Sequence, residues 1–162
     1  MSETSILQFE ILELVLVGTV LIYCTYTDIK SREINDFACL AIVAIWLLGS
    51  AYNVLIYGTG ALSCLFQIIQ SLIFLVLLLL VCYVFERLTG KLSFGGGDVK
   101  LMSACSLYFG TNALLAFIFL ACVIGVFSSA LTKYKATGFP FAPGITVSFL
   151  VIYSCSNIFT LF

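Results

Sequence analysis

The sequence predicts an all-α polytopic membrane protein of about six transmembrane helices, and three observations carry that expectation. Hydrophobic residues make up 62% of the chain and charged residues 9%, with a mean hydropathy of +1.20, more apolar surface than one soluble core of 162 residues hides. The apolar residues fall in runs that approach the roughly 20 residues needed to cross a hydrocarbon core. The seven basic residues are confined to three places between those runs. Helices are the expected element, because a chain crossing lipid must close its own backbone hydrogen bonds.

The first run, near residues 7–27, has the length of a signal peptide but not its pattern. Glu3, Glu10 and Glu13 stand where basic residues belong, and Asp28-Ile29-Lys30 follows instead of a small-residue cleavage site, so a retained helix is expected. Glu10 and Glu13 are read as solvated markers of the outer interface. The second run, 37–57, has Asn35 or Asp36 available as its N-cap, and Trp46 as packing. Within the third, 61–85, Gln67 and Gln70 are set to hydrogen-bond a neighbouring helix. A weaker segment, Val99 to Phe109, is expected to turn at Gly110-Thr111-Asn112 into a fifth helix, 113–132. Pro140 and Pro143 shape the start of the last, 145–162.

Charge orients this arrangement. Lys30 and Arg32, then Arg87, Lys91 and Lys100, then Lys133 and Lys135 mark alternate loops, which the positive-inside rule places in the cytoplasm. Both termini then face outward. Lys91 and Lys133 share a side only if the chain between them crosses an even number of times, which favours two helices there.

The seven cysteines are at least fifteen residues apart, and the chain has no histidine. That spacing excludes the common thiolate and imidazole zinc sites, so no metal is expected and the thiols read as small apolar packing residues. Without histidine the usual serine and cysteine hydrolase arrangements are also excluded, leaving carboxylates as the acid/base groups. A net charge of −1 and the lack of a basic tract give no nucleic-acid surface, and nothing sets an oligomeric state.

Two aspartates stand out. Asp28, in TDIKSREIND, and Asp98, in GGGDVKLM, each adjoin an apolar run on the cytoplasmic side. Gly95, Gly96 and Gly97 have no side chains to hold another chain away from Asp98, the access that an acid/base pair acting on a peptide needs. The plainer alternatives are a loop ending at an Asp98 N-cap, and an Asp28 loosely paired with Lys30 or Arg32.

Together these residues resemble the prepilin peptidases, membrane aspartic proteases of the GxGD type. Gly95-Gly96-Gly97-Asp98-Val99-Lys100-Leu101-Met102 is similar to the family's most specific block, and Asp28 with Ile29, Lys30, Arg32, Ile34 and Asn35 to its other aspartate motif. Pro140-Phe141-Ala142-Pro143-Gly144 resembles the proline-aromatic block before the last helix. Two departures are visible: Ile34 is followed directly by Asn35 where Ile-Pro-Asn is common, and Ala142 stands where many members have glycine.

The resemblance implies a GxGD aspartic protease fold in a single membrane-embedded peptidase domain, 1–162. The amino-terminal zinc and methyltransferase domain of larger members would be absent, with no methyl donor or other cofactor. It implies removal of the cytoplasmic leader from type IV pilin-like or flagellin-like precursors at the cytoplasmic membrane, by Asp28 and Asp98 with support from Gly95, Gly96, Gly97, Lys100, Pro140, Phe141 and Pro143. Lys100, two residues after Asp98, would tune the local potential. Lipids and the precursor are the expected partners. Two close carboxylates would share a proton, and the helix dipole after Asp98 favours its ionised form, which places that proton on Asp28. The alternatives are an intramembrane protease of the signal-peptide-peptidase kind, or a small transporter or assembly factor using the two aspartates for a proton or cation.

Overall fold

A computed structural model describes residues 3–58, 60–89, 95–131 and 140–160. Six helices follow in order: α1 (Glu3–Ser31), α2 (Asp36–Tyr57), α3 (Ala61–Thr89), α4 (Gly96–Ser106), α5 (Thr111–Leu131) and α6 (Ala142–Thr160). Among the described residues three segments are long and apolar enough to cross a membrane, Gln8–Ser31, Asp36–Ile56 and Ala61–Leu88; Thr111–Phe127 and Ala142–Ser156 are shorter apolar stretches. Lys91, Lys133 and Lys135, which carried part of the orientation argument, lie outside the described residues, as does Gly90.

The fourth segment departs from its expectation. Its helix begins three residues before Val99, at Gly96, and ends at Ser106, and 11 residues rise only about 16 Å, half of a hydrocarbon core. It is a buried central post and not a span. Nearly all its residues from Asp98 to Ser106 are buried, with α2, α3 and α6 packed around it. The turn into α5 is satisfied from α3: the Gln70 side-chain amide donates to the Phe109 carbonyl at 3.0 Å, and Thr111 Oγ1 donates to Gln70 Oε1 at 3.1 Å. Non-helical backbone at membrane depth survives only with such partners.

α1 packs on α2 and α6, and α5 on α6. Between them Leu21, Ile42, Leu101, Phe117, Ile145 and Phe149 are fully buried. By contrast α3 is apolar on all sides and leaves most of its surface bare, with Leu62 82% and Leu88 79% exposed, as a helix solvated by lipid does. This is an all-helical membrane protein.

Loop chemistry is local. Asn35 caps α2 by accepting from the Phe37 N–H at 3.0 Å, as expected, and Gly58 ends the helix in the left-handed region at φ +64°. Asn35→Ala should cost about 1 kcal/mol of stability, read as a lowered unfolding midpoint in detergent.

One expectation fails at the other end of the bundle. Glu13 is not a solvated end marker. Its carboxylate turns inward beside Gly49, where an added Cβ would stand 2.7 Å from Oε1, and Tyr153 OH donates to its Oε2 at 3.5 Å. Glu10 and Glu13 line a polar recess of about 520 Å³ with Asn53, Gln67, Tyr108 and Tyr153.

Candidate active site

The helix that carries Asp28 does not stop where its apolar run stops. α1 continues through Thr27 to Ser31, so Asp28 occupies its last turn and is buried, 6% exposed. Arg32 then takes φ +59°, donating its N–H to the Asp28 carbonyl at 3.1 Å, an αL stop of the kind glycine usually makes, costing about 1–2 kcal/mol for an L-residue. That reversal swings residues 33–35 across the start of α4. Ile34 meets Gly97, where an added Cβ would lie 2.9 Å from the isoleucine Cβ. The close approach anticipated at the glycine run is therefore made at Gly97 by the protein's own loop. Gly96 has open space around it, and Gly95 stands over the Asp98 carboxylate.

Asp28 is held from α6. Its Oδ2 accepts from the Ala142 N–H at 3.0 Å, and the Phe141 backbone N–H also donates to the carboxylate. This gives the proline-aromatic segment its structural sense. Pro140 leads in, Phe141 and Ala142 present their amides at the start of α6, and Pro143 occupies the first turn, where a missing N–H costs nothing. Phe141 is seated in a slot opened by Gly125 of α5, and Gly144 brings α6 against the Ala121 carbonyl and Gly125 amide, both 3.3 Å from where a Cβ would be. Thr25 and Thr146 hydroxyls, 2.8 Å apart, tie α1 to the same helix.

Asp98 is buried in the first turn of α4, 9% exposed. The Gly95 backbone N–H donates to its carboxylate, while Oδ1 is buried and has no hydrogen-bond partner among the described residues. Burial, with the Asp28 charge adding to it, pushes the Asp98 carboxyl up to about 7. Both aspartates open onto one cavity of about 550 Å³, also lined by Arg32, Glu33, Asn35 and Gly95.

Among the residues singled out in the sequence, Asp28, Asp98, the three glycines and Lys100 meet at this cavity, and Phe141 reaches Asp28 through its backbone. Lys100 does not turn to Asp98. Its Nζ lies 2.7 Å from Asp36 Oδ1, an exposed pair linking α4 to α2. Sequence reasoning missed Gly125 and Ala142 as donor, while Arg32, read there as a loose partner of Asp28, stands at the cavity wall. Ala142 left a trace only through its place in the proline-aromatic block, and Gly125 left none. All seven cysteines are free, and no cluster of metal ligands occurs among the described residues.

A sequence model of the type IV leader peptidase family matches residues 15–130, a segment that includes both aspartates but not Pro140–Gly144. The chain is 30% identical over 138 residues to the prepilin leader peptidase/N-methyltransferase of Neisseria gonorrhoeae, covering 85% of this chain and 46% of that protein. To the protein of the same name from Haemophilus influenzae it is 28% identical over 130 residues, 80% of this chain and 54% of the other. For the one from Xanthomonas campestris the identity is 25% over 135 residues, with 80% and 45% covered. The chain thus spans about half the length of the curated relatives it matches. No solved structure matches it significantly. With the family match extending over most of the chain and enclosing the two converging carboxylates, the protein belongs to the type IV leader peptidase family.

Proposed function

We propose that the protein is an aspartic endopeptidase that removes the short cytoplasmic leader from type IV prepilin-like precursors. The observation that carries this is the convergence of Asp28 and Asp98, from helices far apart in sequence, on one cavity. The relatives are named for leader peptidase activity on prepilins, and that reading is extended here to this chain.

In this mechanism Asp98 holds the shared proton, the reverse of the sequence expectation. The dipole of an 11-residue helix favours a charge on Asp98 by only about 0.3–1 kcal/mol, which is outweighed by a buried Oδ1 with no hydrogen-bond partner among the described residues. Asp28, with two amide donors, is the better place for the negative charge. The Asp28 carboxylate takes a proton from water, the water oxygen attacks the scissile carbonyl, and Asp98 gives its proton to the carbonyl oxygen. The tetrahedral intermediate then collapses with proton return to the amine, and no covalent enzyme intermediate forms. The two groups titrate as one unit.

Lys30, Arg32, Arg87 and Lys100 stand at the helix ends nearest the cavity, and Glu10 and Glu13 at the far end, which supports a cytoplasmic active site, a multi-pass arrangement in the cytoplasmic membrane and termini on the outside. The peptidase unit is read as a single domain whose six helices share one core.

Leader removal from a co-expressed prepilin, followed by gel shift and N-terminal sequencing, tests the reading. Asp28→Asn should insert normally and leave the leader in place, a loss of at least about 10²-fold. Wild-type cleavage by that variant would make Asp28 structural and return the carrier or assembly-factor reading.

A further inference from the structure

The cavity at the two aspartates does not end at them. α2 and α3 both pack on α4 without extensive contact with each other, which leaves an apolar groove of about 600 Å³. Leu40 and Leu47 of α2 form one wall, Leu72 and Leu75 of α3 the other, and Ser103 and Ala104 of α4 the floor. Asp36 and Lys100 line both the groove and the aspartate cavity, so the two spaces meet at that ion pair. From Asp36 to Leu47 the groove follows α2 for about 16 Å, three helical turns.

Resting on the peptidase reading above, we propose that this groove seats the first three turns of the precursor's apolar helix. The N-terminal end of that helix lies at the Asp36–Lys100 pair, and the leader crosses the pair into the aspartate cavity. The order of chemistry is the argument: a polar cavity that holds the candidate acid and base, then an ion pair, then an apolar trough, in the sequence in which a polar leader gives way to an apolar helix. Small floor residues let a helix backbone come close. The floor also offers no hungry polar group, since Ser71 Oγ donates to the Ser103 carbonyl at 2.8 Å and Ser103 Oγ to the Ser71 carbonyl at 3.2 Å. At the junction the exposed Asp36–Lys100 pair sets polar groups where a polar leader would meet an apolar helix. The groove on the other flank of α3, between α3 and α5, is as apolar but shares no residue with the aspartate cavity. It serves as the internal control.

The test uses the full chain in lipid nanodiscs with a purified type IV prepilin. A photo-crosslinking benzoylphenylalanine is placed at Leu40, at Leu72 or, for the control groove, at Leu115, in an Asp98→Asn background that retains the precursor. Adducts to the prepilin helix are expected from positions 40 and 72 and not from 115. In the otherwise wild-type protein, Leu40→Trp and Leu72→Trp should lower kcat/KM for the prepilin by about tenfold or more, mainly through KM, and leave unchanged the cleavage of a short peptide that carries the leader and cleavage site without the helix. Adducts from position 115 instead, adducts to lipid alone, or tryptophan variants that slow both substrates equally or neither would overturn the groove while the peptidase reading stands. A wild type that cuts neither substrate would overturn both.

Discussion

Replacing Asp98 with asparagine is expected to abolish leader removal and, at the same time, to make the protein more stable above pH 7. The first effect follows from losing the proposed proton donor of the pair, worth about 10²–10⁴ in rate for a single acid/base group. The second follows from the sign of the linkage. The Asp98 carboxyl is pushed from 3.8 up to about 7 by burial and by the Asp28 charge, so between those values the folded state holds a proton that the unfolded state has released. Stability therefore falls as pH rises from about 4 to about 7, and above 7 the full penalty of a buried charge is present. At 1.36 kcal/mol per pH unit the penalty is at most roughly 4 kcal/mol, part of it shared with Asp28. Asparagine never bears the charge. Thermal unfolding in detergent should show the variant melting above the wild type at pH 8, with the gap closing at pH 5, and wild-type leader removal should decline above pH 7. A variant that is less stable than wild type at both pH values would identify Asp98 as a structural cap.

The second large effect is expected at Gly125, which reaches Asp28 only through Phe141. Gly125→Val should reduce leader removal by about 10–100-fold and destabilise the fold by about 1–3 kcal/mol. A Cβ at Gly125 would overlap Cε2 and lie 2.8 Å from Cδ2 of Phe141, a clash relieved only by moving the ring. Phe141 and Ala142 supply the amides on Asp28, so displacing the ring displaces the donors. The same assay on Gly110→Ala, where nothing lies within 4 Å of the added Cβ, should show neither change. If Gly125→Val cut at the wild-type rate, the α6 amides would not be what holds Asp28 in working position.

Which parts of this were legible in the sequence follows from physics at particular residues. Apolar runs broken by glycine, proline or charge announce helices, and all six are present. Their ends were less readable. α1 runs on to Ser31 because Asp28 turns into the bundle, and no composition rule says that a polar TDIKS stays helical. Glu13 was misplaced for a related reason: a helix apolar nearly all round gives no clue to its rotation, so its inward face is set only by partners such as Gly49 and Tyr153. The meeting of Asp28 with Asp98 depends on contacts between α1, α6 and α4 that no spacing encodes; the place of the two aspartates on one face makes them a candidate pair, and the family resemblance adds to that expectation. Gly125 carries no signal until Phe141 is packed against it. Lys100 was readable and was misjudged: two residues apart on a helix is about 200° around the axis, which turns Lys100 away from Asp98 and toward Asp36.

The shortness of α4 has an electrical consequence. A polar recess lies beyond each end of this post, one holding Asp28 and Asp98 and the other lined by Glu13, Gln67 and Tyr108. Between them stands about 16 Å of buried helix where the surrounding bilayer presents about 30 Å of hydrocarbon. On the proposed placement across the membrane, the potential would drop more steeply through the centre of this protein than through the lipid beside it. At about 2.3 kcal/mol per elementary charge per 100 mV across the full barrier, a charge moved along this short post would meet that steeper drop, and Asp98 stands at its edge, in the recess.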